Sequence, residues 1–278
     1  MKIHILHCGS VSLPISLVEG EGRGARMAGL PLAAPGAARV KLPTSAYLIE
    51  HPRGAVLIDC GWCRDVSPNG VYDALAARRV LGAAVANFYR PELPLGQAVH
   101  EQLAARGIST CELELVILTH LDPDHVSGVK HLTGAKRIIV PEDEYFWSCR
   151  TVYKFRQPWK LWIDAPIERV FYRGFGGVPN NWAIDIFGDG TLYMVNLPGH
   201  TDGMAGVVAV NGRSFVLLCA DAGFSRSAWE RLEVAGFGFD AGLQRKSLKW
   251  VQEMAQRPGC VGVFASHDAD IAPQTIEF

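Results

Sequence analysis

The chain has 278 residues, of which 49% are hydrophobic and 20% charged, a balance that excludes a wholly disordered protein. Its 27 basic and 28 acidic residues give a formal net charge of −1, so charge offers no argument for nucleic acid or an anionic membrane as a partner. No apolar run approaches the roughly 18 residues that cross a bilayer. Seven scattered cysteines do not suit a disulfide scaffold, so we expect a cytoplasmic protein with reduced thiols.

The first half of the chain alternates between strand-like and helical runs. Strands are predicted over Lys2–His7, Ser45–Glu50, Ala55–Asp59, Leu113–Leu118 and Ala135–Val140, and helices over Val71–Leu81 and Leu95–Arg106. The segment Gly20–Ala38 is rich in Gly, Ala and Pro and is predicted to be a long loop.

The second half repeats this rhythm. Strands are predicted over Ile184–Phe187, Thr191–Asn196, Gly206–Val210, Ser214–Cys219 and Cys260–Ala265, and a helix over Asp240–Arg257. Asn211-Gly212 is a strong hairpin signal between two of these strands. Two groups of strands, each followed by helices, predict an α/β fold in which two sheets pack together with helices outside. A single domain over residues 1–278 is expected, because no linker divides the chain.

The segment 145–182 differs from the rest in composition. It holds a dense run of aromatic residues together with Arg150, Lys154, Arg156 and Lys160. One interpretation is a core-packing subdomain whose cations extend to solvent along apolar stems. The other is an aromatic-walled, cap-like segment over a substrate pocket.

The residues that follow the predicted strands carry the candidate chemistry. Four candidate metal ligands lie within six residues after the strand Leu113–Leu118, namely His120, Asp122, Asp124 and His125. Three further candidates each follow another strand, namely His200, Asp221 and His267. Strand ends on one edge can converge, and buried carboxylates there are costly unless a cation accompanies them. Imidazole and carboxylate together suit zinc, iron, manganese or cobalt.

With these motifs, the sequence resembles the metallo-β-lactamase superfamily, and within it the N-acyl homoserine lactonase group. The resemblance rests on Val56-Leu57-Ile58-Asp59-Cys60-Gly61, the His120–His125 motif, Pro198-Gly199-His200-Thr201, Asp221 and His267. It implies an αββα sandwich of two mixed sheets with a binuclear metal site at one edge. One ion would be held by His120, His200 and Asp221 with residue 122, and the other by Asp124, His125 and His267, with Asp221 bridging. Asp59 is interpreted either as a residue that orients a ligand from behind or as a cap of the local turn.

Two positions depart from the pattern of the family. Asp122 stands where the family motif has its second histidine, and Phe224 stands where the lactonase group carries a substrate-contacting tyrosine. As a ligand, Asp122 would cancel the single positive charge that two divalent ions, two carboxylates and a hydroxide leave, which predicts a weaker Lewis acid. The alternative is that Asp122 does not reach the metal.

The resulting expectation is a metal-dependent hydrolase that opens a lactone or related ester by a metal-bound hydroxide, with Asp124 as the catalytic proton carrier and Phe224 at the substrate. The expected cofactors are two divalent ions, zinc first, with iron or manganese as alternatives. The expected partner is a small-molecule substrate, without nucleic acid or membrane, and a homodimer is left open. A di-iron redox protein and a catalytically weak ligand-binding or sensory protein remain alternatives.

Overall fold

The computed structural model describes residues 1–18, 36–150 and 156–278. Most of the predicted loop Gly20–Ala38 lies outside the described residues, as do Tyr153, Lys154 and Phe155. No helix in the described part of the chain is both long and apolar enough to cross a membrane. All seven cysteines are unpaired, in agreement with the prediction of free thiols.

The strands form two mixed sheets, which confirms the predicted fold class. The seven-stranded sheet contains β1 (Lys2–Pro14), β2 (Arg39–His51), β3 (Gly54–Ile58), β4 (Leu113–Ile117), β5 (Ile138–Pro141), β6 (Ile167–Val170) and β13 (Thr275–Glu277), in the order β13-β1-β2-β3-β4-β5-β6. The six-stranded sheet contains β7 (Arg173–Gly174), β8 (Trp182–Asp185), β9 (Leu192–Asn196), β10 (Ala205–Asn211), β11 (Ser214–Ala220) and β12 (Cys260–Ala265), in the order β12-β11-β10-β9-β8-β7. The β10–β11 hairpin is present as predicted, but its turn lies one residue later, at Gly212 and Arg213, because Asn211 pairs with Ser214.

The inner faces of the two sheets form one apolar core. Ile5 and Ile117 of the first sheet belong to the same buried cluster as Met194 and Val207 of the second. Separate clusters cover the outer face of each sheet, where helices pack. The helices are α1 (Ile15–Val18), α2 (Ala74–Leu81), α3 (Ala83–Tyr89), α4 (Val99–Ala105), α5 (Pro123–Val126), α6 (Glu142–Ser148), α7 (Arg226–Arg231) and α8 (Ala241–Ala255). The layers therefore follow the order helix, sheet, sheet, helix.

Two predicted helices begin later than the periodicity suggests, because capping groups fix their starts. The helix predicted from Val71 begins at Ala74, where the Asp73 side chain accepts hydrogen bonds from two backbone N–H groups. The helix predicted from Leu95 begins at Val99, and its Glu101 side chain accepts a hydrogen bond from the backbone N–H of Ala98 at 3.1 Å. The sequence prediction omitted α3, which follows α2 after Gly82 alone.

Candidate metal centre

The seven predicted ligands meet at one edge of the two sheets, and all seven are buried. They follow the C-terminal ends of four strands: β4 precedes the His120–His125 loop, β9 precedes His200, β11 precedes Asp221 and β12 precedes His267. Their ligand atoms form three overlapping groups, within each of which the atoms lie within 4.8 Å of one another. The sequence prediction of convergence at a sheet edge therefore describes this geometry correctly.

Two of these groups lie on opposite sides of Asp221. We call His120, Asp122 and His200 the Asp122 cluster, and Asp124, His125 and His267 the Asp124 cluster. Asp221 Oδ2 lies 3.4 Å from His200 Nε2 and 3.2 Å from His267 Nε2, while Asp221 Oδ1 lies 3.4 Å from His125 Nε2. Asp221 thus contacts both clusters, as the bridging position predicted from the sequence requires.

Unusual backbone conformations direct the chain at these strand ends. Asp59 and Ala220 are non-glycine residues with positive φ values of 58° and 49°, placed just after β3 and just before Asp221. Gly199 has a φ of 132°, and a Cβ there would lie 2.2 Å from the backbone nitrogen of Gln244. Only glycine fits at this position, so the Pro198-Gly199-His200 sequence places its histidine by bringing the loop against α8.

Hydrogen bonds behind three histidines fix which ring nitrogen faces the site. Asp59 Oδ2 lies 2.8 Å from His125 Nδ1, and the carbonyl oxygen of Pro43 lies 2.7 Å from His267 Nδ1. Thr119 Oγ1 donates to Asp59 Oδ2 at 2.8 Å and lies 2.9 Å from His120 Nδ1. Because each of these partners accepts a hydrogen bond from an Nδ1–H group, the Nε2 atoms face the site. Asp59 makes the contact that its predicted orienting role requires.

The unpartnered donor atoms of this site fit a metal ion. The Nε2 atoms of His120 and His125 and Oδ1 of Asp221 are buried and have no hydrogen-bond partner among the described residues. Burial lowers the pKa of His125, yet Asp221 and neighbouring carboxylates outweigh it and hold the pKa well above its usual value. The electrostatics of the site therefore favour positive charge, and its donors are those that divalent transition metals bind.

Asp122 has a partner that the sequence analysis did not foresee. Arg156 Nε donates to Asp122 Oδ1 at 2.9 Å and Arg156 Nη2 donates to Asp122 Oδ2 at 2.6 Å, with both residues buried. The same Nη2 lies 2.8 Å from His200 Nε2, and Nη1 donates to the His200 carbonyl oxygen at 3.1 Å. Burial raises the pKa of Asp122, but Arg156 and His200 outweigh it and hold this pKa well below its usual value.

A second layer of polar contacts lies behind this pair. Gln157 Nε2 donates to Asp122 Oδ1 at 3.1 Å and to Glu144 Oε1 at 2.7 Å. Glu144 Oε1 also accepts from the backbone N–H of Leu121 at 3.0 Å. Burial raises the pKa of Glu144 to about 7, against the lowering effect of these hydrogen bonds. Asp122 therefore lies in a buried network that extends away from the metal-facing atoms.

Aromatic rings form the wall beside the ligands. The ring of Phe224 lies 5.8 Å from that of His200 and 5.2 Å from that of His267, so the predicted substrate position is beside both clusters. The ring of Phe237 lies 5.7 Å from His200, and the Arg156 guanidinium lies 4.1 Å over its face. The hydroxyl of Tyr89 is buried without a hydrogen-bond partner among the described residues.

The described residues of the aromatic segment, 145–150 and 156–182, differ in burial. Trp162 is buried in the core outside the first sheet, as packing requires, while Phe146 and Trp159 are about half exposed. One of the two interpretations directs Arg156 to solvent, but its guanidinium contacts Asp122 and His200 in the candidate metal centre. No local pattern marked it, because its partner Asp122 lies 34 residues away. Thr119 and Pro43 were also missed, since their contacts depend on the folded backbone.

Comparison with known proteins gives the class of this fold and site. The model of the metallo-beta-lactamase superfamily matches residues 39–267, which is most of the chain. The chain therefore belongs to the metallo-beta-lactamase superfamily, as the sequence motifs predicted.

The relatives make the resemblance more specific. The chain is 26% identical to the N-acyl homoserine lactonase AttM of Azorhizobium caulinodans, in an alignment covering 98% of this chain and 95% of the relative. It is also 26% identical to AttM of Agrobacterium fabrum over 83% of each chain. Among solved structures, it is similar to an N-acyl homoserine lactone hydrolase with N-hexanoyl-L-homoserine bound at its catalytic metal centre, with a TM-score of 0.73, 22% identity and coverage of 97% and 94%. The dizinc lactonase AidC has the same fold, with a TM-score of 0.62, 16% identity and coverage of 96% and 87%. These findings confirm the predicted resemblance to lactone hydrolases.

Proposed function

We propose that this protein is a metal-dependent hydrolase that opens the ring of a lactone or cleaves a related ester. The observation that carries the proposal is the convergence of seven buried ligand side chains, several with unpartnered lone pairs directed at one another. The named activities of the lactonase relatives support the choice of an ester carbonyl as the target.

The residues of the Asp124 cluster, with Asp221, would hold a divalent ion. Zinc is the first choice because these donors are imidazole and carboxylate, and iron or manganese are the alternatives. When bound, such an ion supplies Lewis acidity, which makes water more acidic and polarises a carbonyl group.

Asp124 is proposed to carry the proton during hydrolysis. Its Oδ2 lies 3.4 Å from His267 Nε2, and burial raises the pKa of its carboxyl group. In the proposed reaction, Asp124 Oδ1 accepts a proton from the attacking water as the new C–O bond forms at the carbonyl carbon. The bond to the ring oxygen then breaks, and Asp124 returns the proton to that oxygen, which leaves a hydroxy acid.

The rings of Phe224 and Phe237 are proposed to contact the substrate. They present apolar surface beside the imidazoles of the ligand clusters, so they suit an acyl or alkyl group next to the reacting carbonyl. We propose that the single domain 1–278 forms this site alone, with the segment 145–182 contributing one wall.

The contacts of Asp122 argue against the di-iron redox alternative. A carboxylate ligand at position 122 would favour a di-iron site, but both Asp122 oxygens accept hydrogen bonds from Arg156. The carboxylate is thus accounted for by its protein partner and no longer favours a di-iron redox site.

A substrate panel tests the proposed function. The metal-depleted protein would be loaded in turn with Zn²⁺, Mn²⁺, Fe²⁺ and Co²⁺, and proton release would be followed with lactones, esters and thioesters. We expect lactone turnover that a chelator abolishes. His4→Ala is a suitable control, because His4 contacts Glu50 and Thr275, which are not candidate ligands. This variant should leave turnover unchanged. An absence of turnover in every metal-loaded preparation would contradict the proposal, and tight binding of a lactone without conversion would favour the ligand-binding alternative.

A further inference from the structure

The Asp122 cluster differs from the Asp124 cluster in having a cation of its own. Arg156 places its guanidinium against the carboxylate of Asp122 and the Nε2 atom of His200. His200 Nε2 lies 2.8 Å from Arg156 Nη2 and 3.1 Å from Asp122 Oδ2, so this pair engages the nitrogen that would otherwise be free for a metal. Two of the three ligand side chains of the cluster are therefore bound to a positive group from the protein.

The network around Arg156 holds this arrangement in place. Its Nη1 donates to the carbonyl oxygen of His200, and its planar face lies 4.1 Å from the ring centre of Phe237. Gln157 supplies a further hydrogen bond to Asp122, so the carboxylate has partners on both oxygens. Paired donors in a planar fork, buried and stacked on an aromatic ring, constitute a built site for the guanidinium.

The Asp124 cluster has no comparable occupant. His125 Nε2 is buried and has no hydrogen-bond partner among the described residues, and the ion pairs of Asp124 and His267 within those residues involve only His and Asp side chains. On the Asp122 side the guanidinium already contacts two of the three candidate ligands, whereas on this side His125 Nε2 stays available. The geometry therefore places a single ion at the Asp124 cluster.

We propose that Arg156 replaces one of the two metal ions, so that the protein binds one divalent ion per chain, at the Asp124 cluster and Asp221. This inference rests on the proposed metal-dependent function but concerns stoichiometry. On the Asp122 side, a fixed guanidinium provides positive charge beside the reacting carbonyl without activating a second water. The substitution of Asp for His at position 122 and the presence of Arg156 then form one coupled change, because the carboxylate binds the guanidinium.

The test is a titration of the metal-depleted protein with Co²⁺, read by visible absorption, and with Zn²⁺, read by elemental analysis after dialysis. The native chain should saturate at one equivalent. Arg156→Met frees Asp122 and His200 and should saturate at two, while Arg156→Lys retains the positive charge and should stay at one. Arg64→Met is the matched control, because Arg64 forms a partly buried ion pair with Glu101 outside the site, and it should also stay at one.

A second variant keeps the test decisive if Arg156→Met does not fold, since that change leaves a buried carboxylate unpaired. The double variant Asp122→His, Arg156→Met removes both charges and supplies a third imidazole, and it should bind two equivalents. Two equivalents in the native protein, or one in both the folded Arg156→Met protein and the double variant, would overturn the inference. Lactone turnover by a two-metal native protein would overturn only this inference, whereas a one-metal protein without turnover would overturn only the proposed hydrolase function.

Discussion

The two ligand clusters share Asp221 and are built from the same residue types, yet they are supported in different ways. Asp59 and the Pro43 carbonyl contact Nδ1 of His125 and His267 from behind, and His125 Nε2 has no hydrogen-bond partner among the described residues. The Asp122 cluster is held from the front, by an arginine that engages the atoms a metal would need. Ligand identity alone thus does not determine whether a site can take an ion, because the partners of each ligand decide which lone pairs are available.

The largest expected effect comes from removing a candidate ligand of the Asp124 cluster. His125→Ala deletes a lone pair of the Asp124 cluster and leaves Asp59 without its imidazole partner. Metal catalysis contributes several kcal/mol to the transition state, so we expect lactone turnover to fall by about 10³-fold and bound metal to be lost. Elemental analysis and proton-release kinetics on the same sample measure both effects. His131→Ala changes a histidine stacked on His100 and outside both clusters, and it should keep both properties. A fully metallated, active His125→Ala protein would remove the distinction between the clusters.

Glu144 belongs to the polar network behind the Asp122 cluster, and its titration can be followed through protein stability. Its folded-state pKa of about 7 exceeds the usual value of 4.5, so the unfolded chain releases this proton at lower pH. The contribution of protonated Glu144 to the free energy of unfolding is therefore fully present below about pH 4.5 and is lost as the pH rises through 7. Glu144→Gln removes the titration, and its free energy of unfolding relative to the native chain should rise by about 3 kcal/mol between pH 4.5 and pH 8. Urea unfolding at several pH values measures the difference, and a difference that is independent of pH would contradict the prediction.

The hydrogen bond between Asp59 and His125 can be weakened without removing a candidate ligand of the Asp124 cluster. Asp59→Asn keeps a side chain that tolerates the positive φ of 58° at this position but loses the charge facing His125. Loss of such an orienting carboxylate typically costs about 10- to 100-fold in metal affinity or activity. Competition with a chromogenic chelator measures the affinity. Asp65→Asn, at an exposed aspartate paired with Lys130, provides the control and should retain the native affinity. Equal affinities for all three proteins would show that the contact with Asp59 does not tune the site.

Most of the fold and the convergence of the candidate ligands could be predicted from the sequence, because both depend on local patterns. Alternating apolar residues located the strands, and a ligand after each of four strand ends predicted their convergence, as at His200 after β9. The partner of Asp122 was out of reach for a physical reason. Arg156 is one of several basic residues in its segment, and only the tertiary path of the chain selects it for burial.

The same limit applies to the interpretation of position 122. From the sequence, the aspartate was either a ligand that neutralises the metal site or a residue that misses the metal. The structure adds a third state, in which the carboxylate is bound by a protein cation and its charge is cancelled locally. Charge arithmetic on the ligands alone could not reveal this, because the compensating charge is supplied by a residue outside the motif.

The smallest expected effect concerns Phe224, whose ring lies beside both clusters. A substitution there tests whether the two clusters act on one substrate. Phe224→Tyr adds a hydroxyl at the edge of a ring that already lies 5.2 Å from His267 and 5.8 Å from His200. A single neutral hydrogen bond to the substrate carbonyl is worth about 1 kcal/mol, so kcat/KM for lactones should rise by about fivefold. Kinetics with a lactone and a thioester of equal chain length measure the change, with Phe175→Tyr on the exposed surface as the control. If the clusters act on one carbonyl, the gain should appear in kcat, because the new donor acts where charge develops in the transition state. An unchanged kcat with an altered KM would instead place Phe224 against a part of the substrate remote from the reacting carbonyl.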